Sequence, residues 1–389
     1  MLPVKTFRTA RVIITGSGSS GQAGEECRKL GLKKALIVTD QNLVKLSIPA
    51  GVQESLRKSG IDCAIYDGVN SEPAIVHVQE GLEAFRGNGC DCLLAVGGGS
   101  PMDTAKAISA MATNRGKIED YMGQGKVPEK GRPVIAVPTT AGTGSEVTPF
   151  TIITDTKRDV KMLIGSPFLT PQVAILDPQL TITLPQDITA ATGIDALTHA
   201  IEAYVSAKAQ MISDVFCLAA IELIAGNLRQ AWAEGKNLEA REKAMMGSLM
   251  AGMAFSNSSV ALVHGMARPI GAYFHVRHGA SNAALLGTVM EFSLEGNPGR
   301  YARVAGAMGI DISGLSEMEA AKRGAEAVKK LIKDVKIPSL LELGVDKARL
   351  EQLAPKMSDD AIASGSPANN PRQATREEII ELYRIAYGR

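Results

Sequence analysis

Short apolar, β-branched runs at residues 11–15, 35–39, 63–66, 92–96, 134–137 and 173–176 alternate with helical patterns at 21–30, 53–58 and 75–85, and beyond residue 186 nothing reads as a strand. No other feature narrows the possible folds as far. Strands that are apolar throughout must be covered on both faces, and parallel neighbours need a crossover, so the alternation specifies a parallel sheet flanked by helices. Runs at 151–155 and 160–164 flank a polar turn and read as a side hairpin. The second half carries long helical patterns at 187–206, 212–232, 238–255, 280–294, 316–333 and 376–387. Two of them open with capping boxes, Ser316-x-x-Glu319 and Thr375-x-x-Glu378. The expected fold is an α/β domain with a parallel sheet over residues 1–182 and an all-α domain over 183–389, the character changing near Asp177-Pro178. A chain of 389 residues is too long for one ordinary core, which agrees with two domains.

Several functions are excluded by charge and composition. The net charge of +1 supplies no field that would gather nucleic acid or an anionic membrane. Residues 1–11 carry no apolar signal core and no apolar run approaches a membrane span, so the expectation is a cytoplasmic protein. The five cysteines (Cys27, Cys63, Cys90, Cys92 and Cys217) are odd in number and sit in apolar segments, as reduced buried thiols do. Cys90-Asp91-Cys92 has the wrong spacing for a metal site and leads into a buried strand.

Within the helical half, Thr192-Gly-Ile-Asp-Ala-Leu-Thr-His-Ala-Ile-Glu-Ala-Tyr204 places Asp195 and His199 four residues apart, on one helix face. A carboxylate and an imidazole so placed can reach one cation. His264 and His278, each preceding a glycine, lie further along. A lone helical histidine is more often a satisfied core residue than a ligand. One Asp with three His, in a chain with only five histidines, is a donor set that suits Fe(II), Zn or Ni.

Gly97-Gly98-Gly99-Ser100-Pro101-Met102-Asp103 follows a buried strand. Three glycines let the backbone turn and approach a ligand, Ser100 is a candidate N-cap, Pro101 suits the first turn, and Asp103 stands where a capping carboxylate belongs. The result is a helix N-terminus aimed at a phosphate. Gly16-Ser-Gly-Ser-Ser-Gly21 also matches a dinucleotide fingerprint, with Asp40 about 20 residues on; it reads equally as a plain Gly/Ser connection. Pro138-Thr139-Thr140-Ala-Gly-Thr143-Gly-Ser-Glu146 is a polar loop dense enough in hydroxyls to wrap a ribose or a nicotinamide amide. Asp40 can accept from two ribose hydroxyls and would repel a 2′-phosphate, favouring NAD over NADP, or it can cap the next turn.

Taken with Ala251-Gly-Met-Ala-Phe-Ser-Asn257, Val263-His-Gly-Met-Ala267, His278-Gly279 and Asn370-Pro-Arg372, these segments resemble the iron-activated, group III metal-dependent alcohol dehydrogenases, and within them the lactaldehyde (propanediol) oxidoreductase branch. The resemblance implies a dinucleotide-binding domain, a helical domain, an active site in the cleft they form, and NAD(H)-linked interconversion of small primary alcohols and aldehydes. It implies Asp195, His199, His264 and His278 as metal ligands, with Fe(II) the expected ion. It assigns Gly97, Gly98, Gly99, Ser100 and Asp103 to the pyrophosphate, Thr139, Thr140, Thr143 and Lys161 to other cofactor contacts, and Asp40 to NAD preference, which makes Gly16–Gly21 a decoy. Relatives are commonly homodimers, some assembling further.

The departures concern the proton and the substrate. Where the family has a proton-relaying histidine, four residues after the third ligand, this chain has Arg268, which stays protonated and cannot accept a proton. Arg277 replaces the usual proline before the last ligand, His275 is unusual three residues before it, and Glu72 and Phe150 stand where close relatives have asparagine. The proton is therefore expected to travel by water and the nicotinamide ribose, with His275 as a candidate. Arg268 and Arg277 together suggest a reductase for a short anionic aldehyde, a semialdehyde or sulfoacetaldehyde. The competing class is a dehydroquinate synthase-like lyase that uses bound NAD internally; steady consumption of NADH separates the two.

Overall fold

The computed structural model describes residues 4–158 and 160–388; the first three residues, Asp159 and Arg389 lie outside it. The chain divides into two compact units, Arg8–Ile182 and Thr183–Arg389, the second including the stretch up to Phe7. That stretch joins the helical unit through stacking of Phe7 on Phe216 (ring centroids 5.5 Å apart) and a hydrogen bond from Gln210 Nε2 to Thr6 O.

The α/β unit contains strands β1 (Val12–Thr15), β2 (Lys34–Val38), β3 (Asp62–Tyr66), β4 (Cys92–Gly97), β5 (Gly123–Gln124), β6 (Val134–Pro138), β7 (Phe150–Asp155), β8 (Val160–Gly165) and β9 (Val173–Leu176). Six of them form one parallel sheet in the order β1-β9-β6-β4-β2-β3. The period-2 geometry of a strand divides its side chains between two cores. Leu36, Val38, Leu93 and Ala95 enter one core, while Ala35, Ile37, Cys92, Leu94 and Val96 enter the other. Each of these is fully buried, and removing a Leu or Ile side chain from water stabilises by about 1.5–3 kcal/mol. The crossovers are α1 (Ala23–Lys29), α2 (Gln41–Lys45), α3 (Ile48–Lys58), α4 (Ile75–Gly87) and α5 (Gly99–Met111). Helix α3 begins five residues before the expected start, with Pro49 in its first turn. The expected hairpin is antiparallel β7–β8, and β5 adds to β8 in parallel, giving a three-stranded sheet that the sequence pattern did not show.

Among its described residues the helical unit holds nine α-helices: α6 (Gln186–Val205), α7 (Met211–Ala233), α8 (Leu238–Ser258), α9 (Leu262–Phe274), α10 (His278–Ser293), α11 (Pro298–Ala307), α12 (Glu317–Asp334), α13 (Lys347–Ala363) and α14 (Arg376–Tyr387). Both capping boxes form, at Ser316/Glu319 and Thr375/Glu378. One sequence expectation needs correcting: α7 is long and apolar enough, by length and composition, to cross a membrane. Its buried residues Cys217, Ala220, Ile221, Ile224, Leu228 and Ala231 form a helical stripe that packs on α6 and α8, which is how a core helix uses such a sequence. All five cysteines are free thiols.

Candidate functional site

Helix α6 presents Asp195, His199 and Glu202 at i, i+4 and i+7, hence on one face, and all three are buried. Helix α9 brings His264 against that face. One ligand atom from each of Asp195, His199 and His264 lies within 4.8 Å of the others. His199 stacks between Phe255, at 4.2 Å, and His264, at 4.5 Å between ring centroids, which fixes its plane. Glu202 accepts from Ala261 N–H (3.0 Å), Val263 N–H (2.5 Å) and His264 Nδ1 (2.6 Å). With Ala261 N–H on the same oxygen and Val263 N–H on the other, the carboxylate makes Nδ1 the protonated nitrogen of His264 and turns Nε2 inward as a lone pair.

That Nε2 tests whether a cation fits. It is buried, has no hydrogen-bond partner, and lies 3.7 Å from Asp195 Oδ1. A buried unsatisfied nitrogen is costly unless something supplies the missing interaction. Burial, and after it the charge of Arg268, holds the His264 ring neutral, well below the usual histidine range, which is the form that ligates. Burial pushes Asp195 up to about 7 and Glu202 up to about 7, so a cation would relieve two carboxyl groups that are costly to ionise alone.

The fourth expected ligand, His278, stands at the start of α10 with its ring centroid 5.4 Å from that of His264, outside the three-residue group. Asn282, one turn on, explains its position. The Asn282 amide nitrogen lies 2.7 Å from Asp195 Oδ1 and 3.1 Å from His278 Nε2, spanning the two residues. Helix α10 can approach α6 this closely because Gly279 has no side chain; a Cβ there would stand 3.0 Å from Ala191 O and 3.5 Å from Asp195 Cβ.

The remaining expected residues divide. Arg268, one turn after His264, is half-buried and donates from Nη1 to Ser366 Oγ at 2.8 Å. Arg277 is a surface residue paired with Asp187 at 3.4 Å, both side chains more than two-thirds exposed, so the structure gives it no substrate role. His275 is exposed at the C-cap of α9 with φ 57°, and no hydrogen bond ties it to the ligand group. Its proposed part in proton transfer gains no support from this geometry.

In the α/β unit, the Gly97–Asp103 loop closes between β4 and α5. A Cβ on Gly97 would meet Pro101 Cγ at 2.5 Å, and one on Gly99 would meet Thr143 Cγ2 at 3.1 Å. The glycines thus let this loop pack on the Thr139–Glu146 loop. Thr139 N–H donates to Gly97 O at 3.0 Å, and Thr140 Oγ1 is buried without a hydrogen-bond partner. The N-cap of α5 is Gly98 rather than Ser100, which lies inside the first turn, and no side chain caps the helix. Its first N–H groups therefore remain without a side-chain cap, as a phosphate-binding N-terminus requires. Asp103 does not cap either: its carboxylate accepts from Ser145 Oγ (2.7 Å) and Ile152 N–H (2.8 Å). Asp40 is the N-cap of α2, and both cap bonds, from Asn42 and Leu43, fall on Oδ1. Lys161 pairs with Glu72 at 2.6 Å. The Gly16–Gly21 loop is closed to phosphate by its own chain: Gly18 N–H, Ser20 N–H and Ser20 Oγ all donate to the Asp177 carboxylate.

Sequence reasoning missed Glu202, Asn282 and Lys106. Glu202 was visible as the i+7 partner of Asp195, and Asn282 as the i+4 partner of His278. Lys106 stands three residues after Asp103 on α5 and is fully buried. Its ammonium donates to Ser145 Oγ (2.8 Å), Thr148 Oγ1 (3.0 Å), Thr148 O (3.2 Å) and Phe150 O (2.9 Å), which ties α5 to the threonine-rich loop and to β7. Burial pushes it down to about 8, against the pull of Asp103 and Glu146.

The chain is similar to known proteins along nearly its whole length. The family model described as iron-containing alcohol dehydrogenase matches residues 10–178, and that described as Fe-containing alcohol dehydrogenase family, C-terminal, matches residues 189–387. A 1,3-propanediol dehydrogenase from Citrobacter freundii is 43% identical over 375 residues, 96% of each chain. A lactaldehyde reductase from Escherichia coli (strain K12) is 41% identical over 375 residues, 96% of this chain and 97% of its own. A crystal structure of a 1,3-propanediol oxidoreductase superposes with a TM-score of 0.96 at 42% identity, covering 99% of this chain and 100% of that one.

Proposed function

The chain belongs to the iron-containing alcohol dehydrogenase family, and from that premise we propose that Asp195, His199 and His264, completed by His278, hold the divalent cation on which its alcohol–aldehyde chemistry depends. The protein is an NAD-linked oxidoreductase of small alcohols and aldehydes. In the reducing direction one aldehyde, one NADH and one proton give one alcohol and one NAD⁺. Bound at this site, a cation supplies Lewis-acid polarisation of the substrate oxygen, and the nicotinamide supplies or takes the hydride.

The chain's own residues do the rest. Glu202 fixes the His264 tautomer, Phe255 fixes the plane of His199, and Asn282 links Asp195 to His278, the residue that would complete the set around a cation. The uncapped start of α5 would hold the pyrophosphate, and Thr139, Thr140 and Thr143 line the same loop pair. Asp103 acts indirectly, by anchoring that loop, and Asp40 retains Oδ2 for a ribose hydroxyl while Oδ1 caps α2. Lys161 reaches the cofactor only by leaving Glu72. We infer Fe(II) as the working ion, with Zn or Ni accepted by the same donor set. Arg268 cannot accept a proton, so the family's relay position is closed here and the proton would have to reach the substrate oxygen by solvent.

The observation that carries the metal reading is His264 Nε2, buried, unbonded and aimed at Asp195. Anaerobic reconstitution with Fe(II) followed by NADH oxidation with small aldehydes tests it. His264→Ala should lose both the metal and turnover; retained metal with near-normal turnover refutes the assignment.

A further inference from the structure

Arg268 has a charge to satisfy. It follows His264 by four residues on α9 and so shares that ligand's helix face. Its guanidinium is half-buried and spends one Nη1 donor on Ser366 Oγ. Five N–H groups in a planar fork are built for an oxyanion. Yet among the described residues no carboxylate lies within 4 Å of it, although most of the chain's other buried or half-buried arginines find an acid or a backbone carbonyl, as Arg300 does with Asp214 and Tyr204 O. The acid that bears on Arg268 is Glu202, and Glu202 is already committed to Ala261, Val263 and His264.

Both Glu202 oxygens are occupied by Ala261, Val263 and His264, and among the described residues the hydrogen-bond partner of the Arg268 fork is the neutral Ser366 hydroxyl, so most of its donors are left for an oxyanion. A charge held partly out of water is unfavourable unless something pairs with it. The fork sits one helical turn from His264, where an anionic group that enters with the reactants can pair with it.

We propose that Arg268 is a specificity residue that binds an anionic group, a carboxylate or sulfonate, on the far end of a short aldehyde or alcohol whose oxygen meets the metal centre. The inference rests on the metal-dependent reduction assigned above and names its substrate class. Arg277 takes no part, being paired with Asp187 at the surface. The same fork could instead meet a cofactor phosphate, which is the other source of an oxyanion.

The test compares two aldehydes of equal length with the Fe(II)-loaded wild-type protein and NADH: succinate semialdehyde and butanal. A charge-assisted bidentate contact predicts a kcat/KM preference for the acid of roughly 10- to 100-fold. Arg268→Gln should collapse that ratio towards one, and Arg268→Lys should restore part of it. Calorimetric titration of the Fe(II)- and NAD⁺-loaded wild type with 4-hydroxybutyrate against butane-1,4-diol reads the same preference without turnover, and it stands even where a variant fails to fold. Equal or better use of butanal by the wild type overturns the proposal. So does an Arg268→Gln protein whose aldehyde ratio is unchanged while its KM for NADH rises, because the anion is then the cofactor's phosphate. If the loaded wild type reduces neither aldehyde nor any other small one, the metal-dependent reading itself fails.

Discussion

Replacing Glu202 with glutamine separates holding the cation from holding the fold. The carboxylate accepts three hydrogen bonds, two on Oε2 (Ala261 N–H and His264 Nδ1) and one on Oε1 (Val263 N–H). A glutamine keeps one acceptor oxygen and turns an NH2 towards the other donors. If its oxygen replaces Oε2, Val263 N–H is left unpaired, at a cost of about 1–3 kcal/mol. If it replaces Oε1, Ala261 N–H loses its acceptor and His264 is driven to carry its proton on Nε2, the nitrogen a cation needs. In both cases the anionic partner that makes the imidazole a better ligand is gone, and loss of such a partner weakens metal binding about 10- to 100-fold, or roughly 1.4–2.8 kcal/mol. The metal-free fold should lose less, because in either orientation the amide oxygen still serves one of the two backbone donors, whereas the anionic charge on the His264 side is lost outright. The assay is anaerobic competition for Fe(II) or Zn against a chromophoric chelator, alongside thermal unfolding with and without metal. Glu202→Gln should narrow the gap between the loaded and metal-free Tm. A metal Kd within about twofold of wild type would contradict this, since the Glu202–His264 hydrogen bond would then contribute nothing to metal binding.

Burial also pushes Asp195 up to about 7, so below that pH the metal-free site holds a proton that a cation must displace. Cation affinity should be full above about pH 7 and fall roughly tenfold per unit below it, with about one proton released near pH 6 when calorimetry is run in two buffers of different ionisation enthalpy; no release contradicts this. The same raised carboxyls make the metal-free fold lose stability as pH rises from about 4 to 7, because the folded chain keeps protons that the unfolded chain gives up. Lys106→Met strands Asp103 and the acceptors on Ser145, Thr148 and Phe150, and should cost about 3–5 kcal/mol in denaturant unfolding while weakening NADH binding; a loss below about 1 kcal/mol would show that the buried ammonium is dispensable. Gly279→Ala places a methyl 3.0 Å from Ala191 O, forcing α10 away from α6; about 1–3 kcal/mol of overpacking and weaker metal binding are expected, and an unchanged metal Kd would show that this close approach is not needed.

The strands were legible to within a residue or two because the central parallel strands, buried on both faces, are continuous apolar runs bounded by polar turns, and the edge strands keep enough of that pattern to be read. The two-residue β5 offers no run to read, and α11 has Gly299 and Gly306 within its span. Helices α9 and α13 contain Pro269 and Pro355, which local rules treat as breaks, while tertiary packing carries the helix through them. In the site, the i, i+4 spacing of Asp195 and His199 was local information and could be read. Which histidine completes the group, and how Asn282 spans Asp195 and His278, depends on three helices meeting and has no signature in any one of them. The Gly16–Gly21 fingerprint failed for the same reason: its N–H groups are satisfied by Asp177, far along the chain. Ser100 was read as a cap from residue preference, but the glycines let the helix begin earlier, at Gly99.

The cation itself gives the most direct test. A crystal of protein reconstituted with Fe(II), or with Zn as a stable substitute, and measured at the metal absorption edge should show one strong anomalous peak within ligand distance, about 2.0–2.2 Å, of Asp195, His199 and His264, with His278 turned in from Asn282 to complete the set. A peak ligated by other side chains, or full metal loading with the Asp195–His199–His264 group left uncoordinated, would contradict the account.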